Sequence, residues 1–347
     1  GVQVSVFGRS NFRFIPLAGA VLILLIASAA CVPDFYSIFV TLKEPGTTAD
    51  GVQYGKEDIL MAVNEADPTW EKIFDGSNFG LTPRHDIAAF SFNEFLLADM
   101  SSGGFDFVPE LYLSFAQNRI AVPDVGIVQG QDVVKFKEIG PADALEEGTF
   151  EMFFDGSDVG LTTISEKIDG LGVWPPEYFD YWISEDIDVP YDCAAGVLFI
   201  TTQGNYRVPA ATPGQSIVGK GSDVLLFCAF NTGPDTSGVW YRVYNGVEEG
   251  IRPYQAGFSL DVLGFDLGPT VTEQAKDLDA QVSFLFTPRT NFTAPGLSSP
   301  GQPSQVFVAE TGSGVFGPEF DFNNDAMLPA VNGVVDGLSV FDFPVAP

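Results

Sequence analysis

The chain has 347 residues and a net charge of −30, from 46 acidic against 16 basic side chains. That balance excludes a nucleic-acid binder, because neutralising phosphates needs clustered Lys and Arg, and it disfavours an anionic membrane surface. The 32 Phe residues supply ample apolar material for a large interior, and the acidity is compatible with a solvated exterior, with cation binding, or with secretion into salt-rich or calcium-containing water.

Residues 1–34 differ from everything after them. Arg9 and Arg13 precede the apolar run 14–32, FIPLAGAVLILLIASAACV, which ends in small residues and Cys31. A positive start, an apolar middle and a small-residue end form the pattern of a secretory signal. Ser28-Ala29-Ala30-Cys31 also loosely follows a bacterial lipobox, so cleavage after Ala-x-Ala and lipidation of Cys31 both stay open. A retained segment would be an anchor, or an element buried between subunits, giving self-association through residues 14–32.

From residue 35 to 347 the chain reads as one β-repeat domain, with units at approximately 35–100, 108–180, 193–268 and 280–345. Each unit opens on an alternating apolar run: YSIFVTL (36–42), LYLSFA (111–116), VLFITT (197–202) and VSFLF (282–286). A short strand headed by a polar pair follows: Glu57-Asp58, Gln131-Asp132, Ser222-Asp223 or Ser304-Gln305. Then comes a twelve-residue phrase, WEKIFDGSNFGL (70–81), FEMFFDGSDVGL (150–161) or WYRVYNGVEEGI (240–251), with an eroded fourth copy FGPEFDFNNDAM (316–327). A final run closes the unit, IAAFSF (87–92), IDGLGV (168–173), LDVLGF (260–265) or VDGLSVF (335–341).

Val, Ile, Phe and Tyr at alternate positions suit half-buried strands. In the second phrase this alternation predicts that Phe150, Met152 and Phe154 share one face, opposite Glu151 and Phe153. Asx-Gly predicts a tight turn, with glycine supplying a positive φ and Asp capping the turn. Gly160 marks a second special backbone position before Leu161 returns to the core. The extra length falls in predicted loops at 117–130, 203–221 and 287–303. The expected fold is all-β: four repeated four-stranded antiparallel units, closed radially as a β-propeller-like array. The alternative is two β-sandwich domains, each of two units, joined near 176–196.

Catalytic signatures are missing from the sequence. The single histidine, His85, is expected in a surface loop after the first phrase, and there is no GxSxG, HExxH, CxxC, Walker A or post-strand GxGxxG. The expectation is therefore a non-enzyme. Calcium is the best cofactor candidate, since it takes several oxygens from a tight loop. Candidate ligands are Asp155, Ser157 and Asp158, with Asp75, Ser77 and Asn78 in the first copy and Asp321, Asn323 and Asp325 in the fourth. Against this, Asp and Asn also cap turns, and the third copy offers Val247, Glu248 and Glu249 instead. Trp174 and Trp182, in WPPEYFDYW (174–182), are candidate glycan-stacking residues if exposed and core residues if buried. Cys193 and Cys228 flank the first and second strands of unit three and predict a disulfide. Asn291-Phe292-Thr293 is a glycosylation sequon.

FDGSDVGL followed by IDxL, with an upstream LYLSF run and an xDV or xDI strand, resembles a repeat of uncharacterised exported bacterial proteins. The resemblance covers residues 36–342, is sharp over Phe74–Leu81 and Phe154–Leu161, and is degenerate in units three and four. It implies export and β-repeat architecture. Together these readings point to a secreted or cell-surface structural or adhesive protein, the subunit of an extracellular fibre. The second expectation is a glycan-binding or glycan-cleaving propeller assisted by calcium.

Overall fold

The computed structural model describes residues 36–63, 69–99, 104–138, 148–174, 176, 193–252, 258–267, 280–288, 291–294, 297, 299–302, 305–310, 316–321 and 335–342. The apolar segment 14–32 with Cys31, and Trp182, Asn323 and Asp325, lie outside these residues. The architecture is all-β, and the helical elements are short 3-10 turns such as Gly76–Phe79 and Gly156–Val159.

Repeat one supplies β1 (Tyr36–Leu42), β2 (Gly46–Thr47), β3 (Gln53–Tyr54), β4 (Asp58–Val63), β5 (Trp70–Asp75) and β6 (Ile87–Asp99). Repeat two supplies β7 (Gly104–Phe115), β8 (Ile120–Val122), β9 (Gly126–Val128), β10 (Val133–Glu138), β11 (Gly148–Phe154) and β12 (Ile168–Trp174). Repeat three follows with β13 (Val197–Thr202), β14 (Tyr206–Pro209), β15 (Ser216–Gly219), β16 (Val224–Asn231), β17 (Ser237–Tyr244) and β18 (Phe258–Leu267). Repeat four gives β19 (Ala280–Pro288), β20 (Gln305–Glu310), β21 (Phe316–Asp321) and β22 (Val335–Asp342).

Sheets and sequence repeats are out of phase by one strand. The four-stranded antiparallel sheets run β22-β1-β4-β5, β6-β7-β10-β11, β12-β13-β16-β17 and β18-β19-β20-β21. The closing run of each repeat therefore becomes the first strand of the next sheet. For the last repeat the next sheet is the first one: β22 pairs with β1 from Tyr36↔Asp342 to Thr41↔Gly337.

Successive sheets pack face to face through apolar clusters. Phe39, Ile59 and Phe74 of the first sheet meet Phe90, Leu113 and Phe136 of the second. Tyr112, Val133 and Phe154 of the second meet Leu198, Phe227 and Trp240 of the third. Phe199, Leu226 and Tyr241 of the third meet Phe286 and Phe307 of the fourth. The packing thus continues from the second repeat into the third. Strand β12 touches both β6 and β18, and β22 touches the same two strands.

All four phrases open on the outer strand of a sheet and carry a β-bulge at one equivalent position. The register skips Ile73 between Ile59↔Phe74 and Leu60↔Lys72. It likewise skips Phe153, Val243 and Glu319 in β11, β17 and β21. An extra residue breaks the period-two alternation, which corrects the predicted face assignment in the second phrase. Phe150 and Met152 pack toward the first sheet, whereas Phe153 and Phe154 pack toward the third.

The predicted loops are also more ordered than expected. Between the second and third strands of three sheets sits a small hairpin, β2–β3, β8–β9 or β14–β15, and in the fourth the same connection holds the bridge Phe292↔Gly301. Three of these pair an aromatic with a glycine: Gly46↔Tyr54, Tyr206↔Gly219 and Phe292↔Gly301. Strands of two to four residues carry too few alternations to show in a sequence.

Candidate functional site

The repeated chemistry sits where each small hairpin meets the phrase turn. Its anchor is the second residue of the polar pair. Asp58, Asp132 and Asp223 are buried, and each carboxylate joins two backbone N–H groups. Asp58 accepts from Gly55 N at 2.7 Å and Gly76 N at 3.2 Å. Asp132 accepts from Gln129 N at 2.8 Å and Gly156 N at 3.1 Å. Asp223 accepts from Lys220 N and Gly246 N, both at 3.0 Å. In repeat four Gln305 repeats the upstream bond, its Oε1 accepting from Gln302 N at 3.0 Å. Bonds of this kind to a charged acceptor contribute about 1.5–3 kcal/mol each.

The anchor explains the glycine of the Asx-Gly pair. Gly76, Gly156 and Gly246 are not among the positive-φ residues. A methyl group on Gly156 would instead stand 2.2 Å from the carbonyl oxygen of Gln131, with 2.4 Å at Gly76 to Glu57 O and 2.3 Å at Gly246 to Ser222 O. The predicted positive φ belongs to the later glycine, at 80° for Gly80, 102° for Gly160 and 83° for Gly250. Leu81, Leu161 and Ile251 then return to the core, each donating its N–H to the oxygen of the first glycine.

What faces the anchor differs between repeats. In repeat one, Lys72 Nζ lies 2.8 Å from Asp58 and 3.2 Å from Asp75. Burial works against the ammonium, but the bonds and charges of Asp58 and Asp75 outweigh it and raise its pKa. In repeat three, Tyr206 Oη donates to Asp223 at 2.9 Å and Arg242 stands 4.0 Å away. Burial still raises the Asp223 carboxyl. In repeat two the corresponding phrase position is Met152, which offers no charge. Burial, with Asp155 and Asp158 nearby, pushes Asp132 up to about 6 against two lowering backbone bonds.

Two of the calcium candidates, Asp75 and Asp155, act as turn caps. Asp75 Oδ1 accepts from Ser77 N at 3.1 Å and Ser77 Oγ at 2.6 Å, and Asp155 Oδ1 does the same with Ser157 at 3.0 and 2.6 Å. Burial opposes the Asp75 charge, yet the Ser77 and Lys72 bonds hold its carboxyl below the usual value. Asp158 reaches into repeat three and accepts from Thr236 N at 3.1 Å. Asn78 lies in the 3-10 turn Gly76–Phe79, and Asp321 is placed only as the last residue of β21. Among the described residues no group of three or more His, Cys, Asp or Glu is arranged to hold a metal.

His85 departs from its surface-loop expectation, being 5 % exposed. Thr82 N donates to Nδ1 at 2.9 Å, which leaves the Nε2 proton for Ala121 O at 2.9 Å. The imidazole ties the loop after the first phrase to hairpin β8–β9. Glu166 does the same after the second phrase: it accepts from Thr162 N and Thr163 N, and from Arg207 N of β14 at 2.9 Å. That shared position, five residues downstream of the closing Gly in one repeat and six in the other, was the signal available in the sequence.

Trp174 is half-buried, edge-on to Phe199 at 5.6 Å and packed against the cluster between the third and fourth sheets. Asn291 is exposed beside buried Phe292. Cys193 and Cys228 form a disulfide with a Cα–Cα distance of 5.0 Å, tying the entry of β13 to β16.

In repeat one a cleft opens at this junction. It has a volume of about 430 Å³ and lies between hairpin β2–β3 and the phrase turn, bordered by Thr47, Gln53, Tyr54, Glu57, Lys72 and Ser77. No protein-family model and no curated protein matches the chain.

Proposed function

We propose that the chain is a non-catalytic structural or adhesive protein, exported to the cell surface or beyond, with its four sheets arranged as the blades of a β-propeller-like array. The observation that carries this reading is the use of the repeated polar groups. Asp58, Asp132 and Asp223 hold backbone N–H groups, Asp75 and Asp155 cap turns, and His85 bridges two loops. Such groups build a frame and leave no relay for bond-breaking chemistry. Radial closure is supported by the pairing of β22 with β1 and by the contacts of β6, β12, β18 and β22. The Cys193–Cys228 bridge supports an oxidising compartment, as does the signal-like segment 1–34.

The test is to express the chain with residues 1–34 in a bacterium and image the material recovered outside the cytoplasm. The reading expects filaments or surface-bound protein, with residues 14–32 protected from protease between subunits. Protein that stays in the cytoplasm, or that releases reducing sugars from polysaccharides with steady turnover, would overturn it.

A further inference from the structure

We infer that the cleft of repeat one is a binding site for a neutral, hydroxyl-rich ligand, a saccharide unit held by Glu57, Gln53 and Lys72. Glu57 borders this cleft and is 5 % exposed. Its Oε2 is enclosed and has no hydrogen-bond partner among the described residues. A buried carboxylate oxygen without a donor is costly, and a turn of the carboxylate toward the cleft lets an incoming O–H supply that donor. The corresponding residues are Gln131, Ser222 and Ser304, so the feature belongs to repeat one alone.

The other wall groups decide the class of ligand. Asp58 and Asp75 are already engaged by backbone N–H groups, Ser77 and Lys72. Groups bordering the cleft beyond these include the Thr47 and Tyr54 hydroxyls and the Gln53 amide. A simple cation meets the Lys72 ammonium, and an anion meets three carboxylates. A hydroxyl both donates and accepts, and so suits a wall that mixes carboxylate, ammonium, amide and phenol. Repeat three shows the same junction closed: Tyr206 projects from its hairpin onto Asp223, beside Arg242. In repeat one the residue matching Tyr206 is Gly46, and the aromatic, Tyr54, stands on the opposite strand.

The inference goes beyond the scaffold reading and does not depend on it, since filament formation and ligand binding are read in separate assays. Methyl glycosides of glucose, mannose, galactose and N-acetylglucosamine are titrated against the folded full chain by saturation-transfer NMR and calorimetry. At least one is expected to bind saturably, with Kd on the order of 1 mM for a small polyol in an open cleft. Glu57→Gln should weaken it by about tenfold, and Gln53→Ala, at an exposed strand position, should weaken it less. Glu248→Gln, in the repeat-three turn, should leave it unchanged. No saturable binding of any glycoside would overturn the inference. So would binding indifferent to both Glu57→Gln and Gln53→Ala, or tighter binding of agmatine or Ca²⁺ at the same residues.

Discussion

Repeats one and two hold the same turn with the same carboxylate, yet they treat its charge in opposite ways. Asp58 lies 2.8 Å from an ammonium on the neighbouring strand, whereas Asp132 has the uncharged Met152 at the matching phrase position and two further carboxylates nearby. The backbone is nearly indifferent: each anchor accepts from a donor three residues upstream and from the phrase glycine, and each strand bulges at the matching residue. The geometry of the repeat is therefore set by two N–H acceptors, and compensation of the charge is a separate, variable layer.

The largest effect should come from removing the anchors. At pH 7, Asp58→Ala is expected to cost about 4 kcal/mol, because it strands two N–H groups and removes the main partner of Lys72. Asp132→Ala strands two N–H groups but also removes an uncompensated buried charge, so about 2 kcal/mol is expected. Urea unfolding of both variants checks the difference. Equal losses would break the comparison.

Much of this frame was legible in the sequence, and the limits have physical causes. The phrase and its flanking runs gave four outer strands and four sheets, because strand periodicity is local. Asp58, Asp132 and Asp223 were visible as members of a recurring polar pair, but their partners Gly76, Gly156 and Gly246 lie in the next strand connection, and no local pattern reports such bonds. The Asx-Gly glycines were read for backbone freedom when their need is a close carbonyl. Phe154 was assigned the face of Phe150 because a bulge leaves no residue signature. His85 looked exposed since its acceptor, Ala121 O, belongs to a hairpin too short to predict.

A smaller effect sharpens the comparison by exchanging the compensating residue. Burial lifts Asp132 from 3.8 to about 6, so its share of stability is fully present below pH 3.8 and is lost as pH rises through about 6. Wild type measured against Asp132→Asn should thus lose stability between about pH 4 and 7, by up to about 3 kcal/mol. Met152→Lys should flatten that loss and stabilise the protein at pH 7 by about 1 kcal/mol, while Lys72→Met destabilises repeat one by a similar amount. Thermal melts across the pH range provide the readout, and a Met152→Lys variant with the wild-type slope would refute the assignment.

The smallest expected effect is none. EDTA should leave the melting temperature unchanged, since the Asp75 and Asp155 carboxylates already accept from Ser77 and Ser157. A fall of several degrees on chelation, restored by Ca²⁺, would return these turns to metal binding.

The pairing of Tyr36 with Asp342 also bears on how the protein is made. On a ribosome, β1 emerges well before its partner, which arrives only after some three hundred residues have followed. Until then the first sheet has β4 on one flank of β1 and an open edge on the other, so a nascent or truncated chain displays an apolar strand ready to pair with any neighbour. Holding that edge unpaired until β22 emerges is a task for a chaperone, and a premature stop anywhere before β22 yields a product marked for aggregation or disposal.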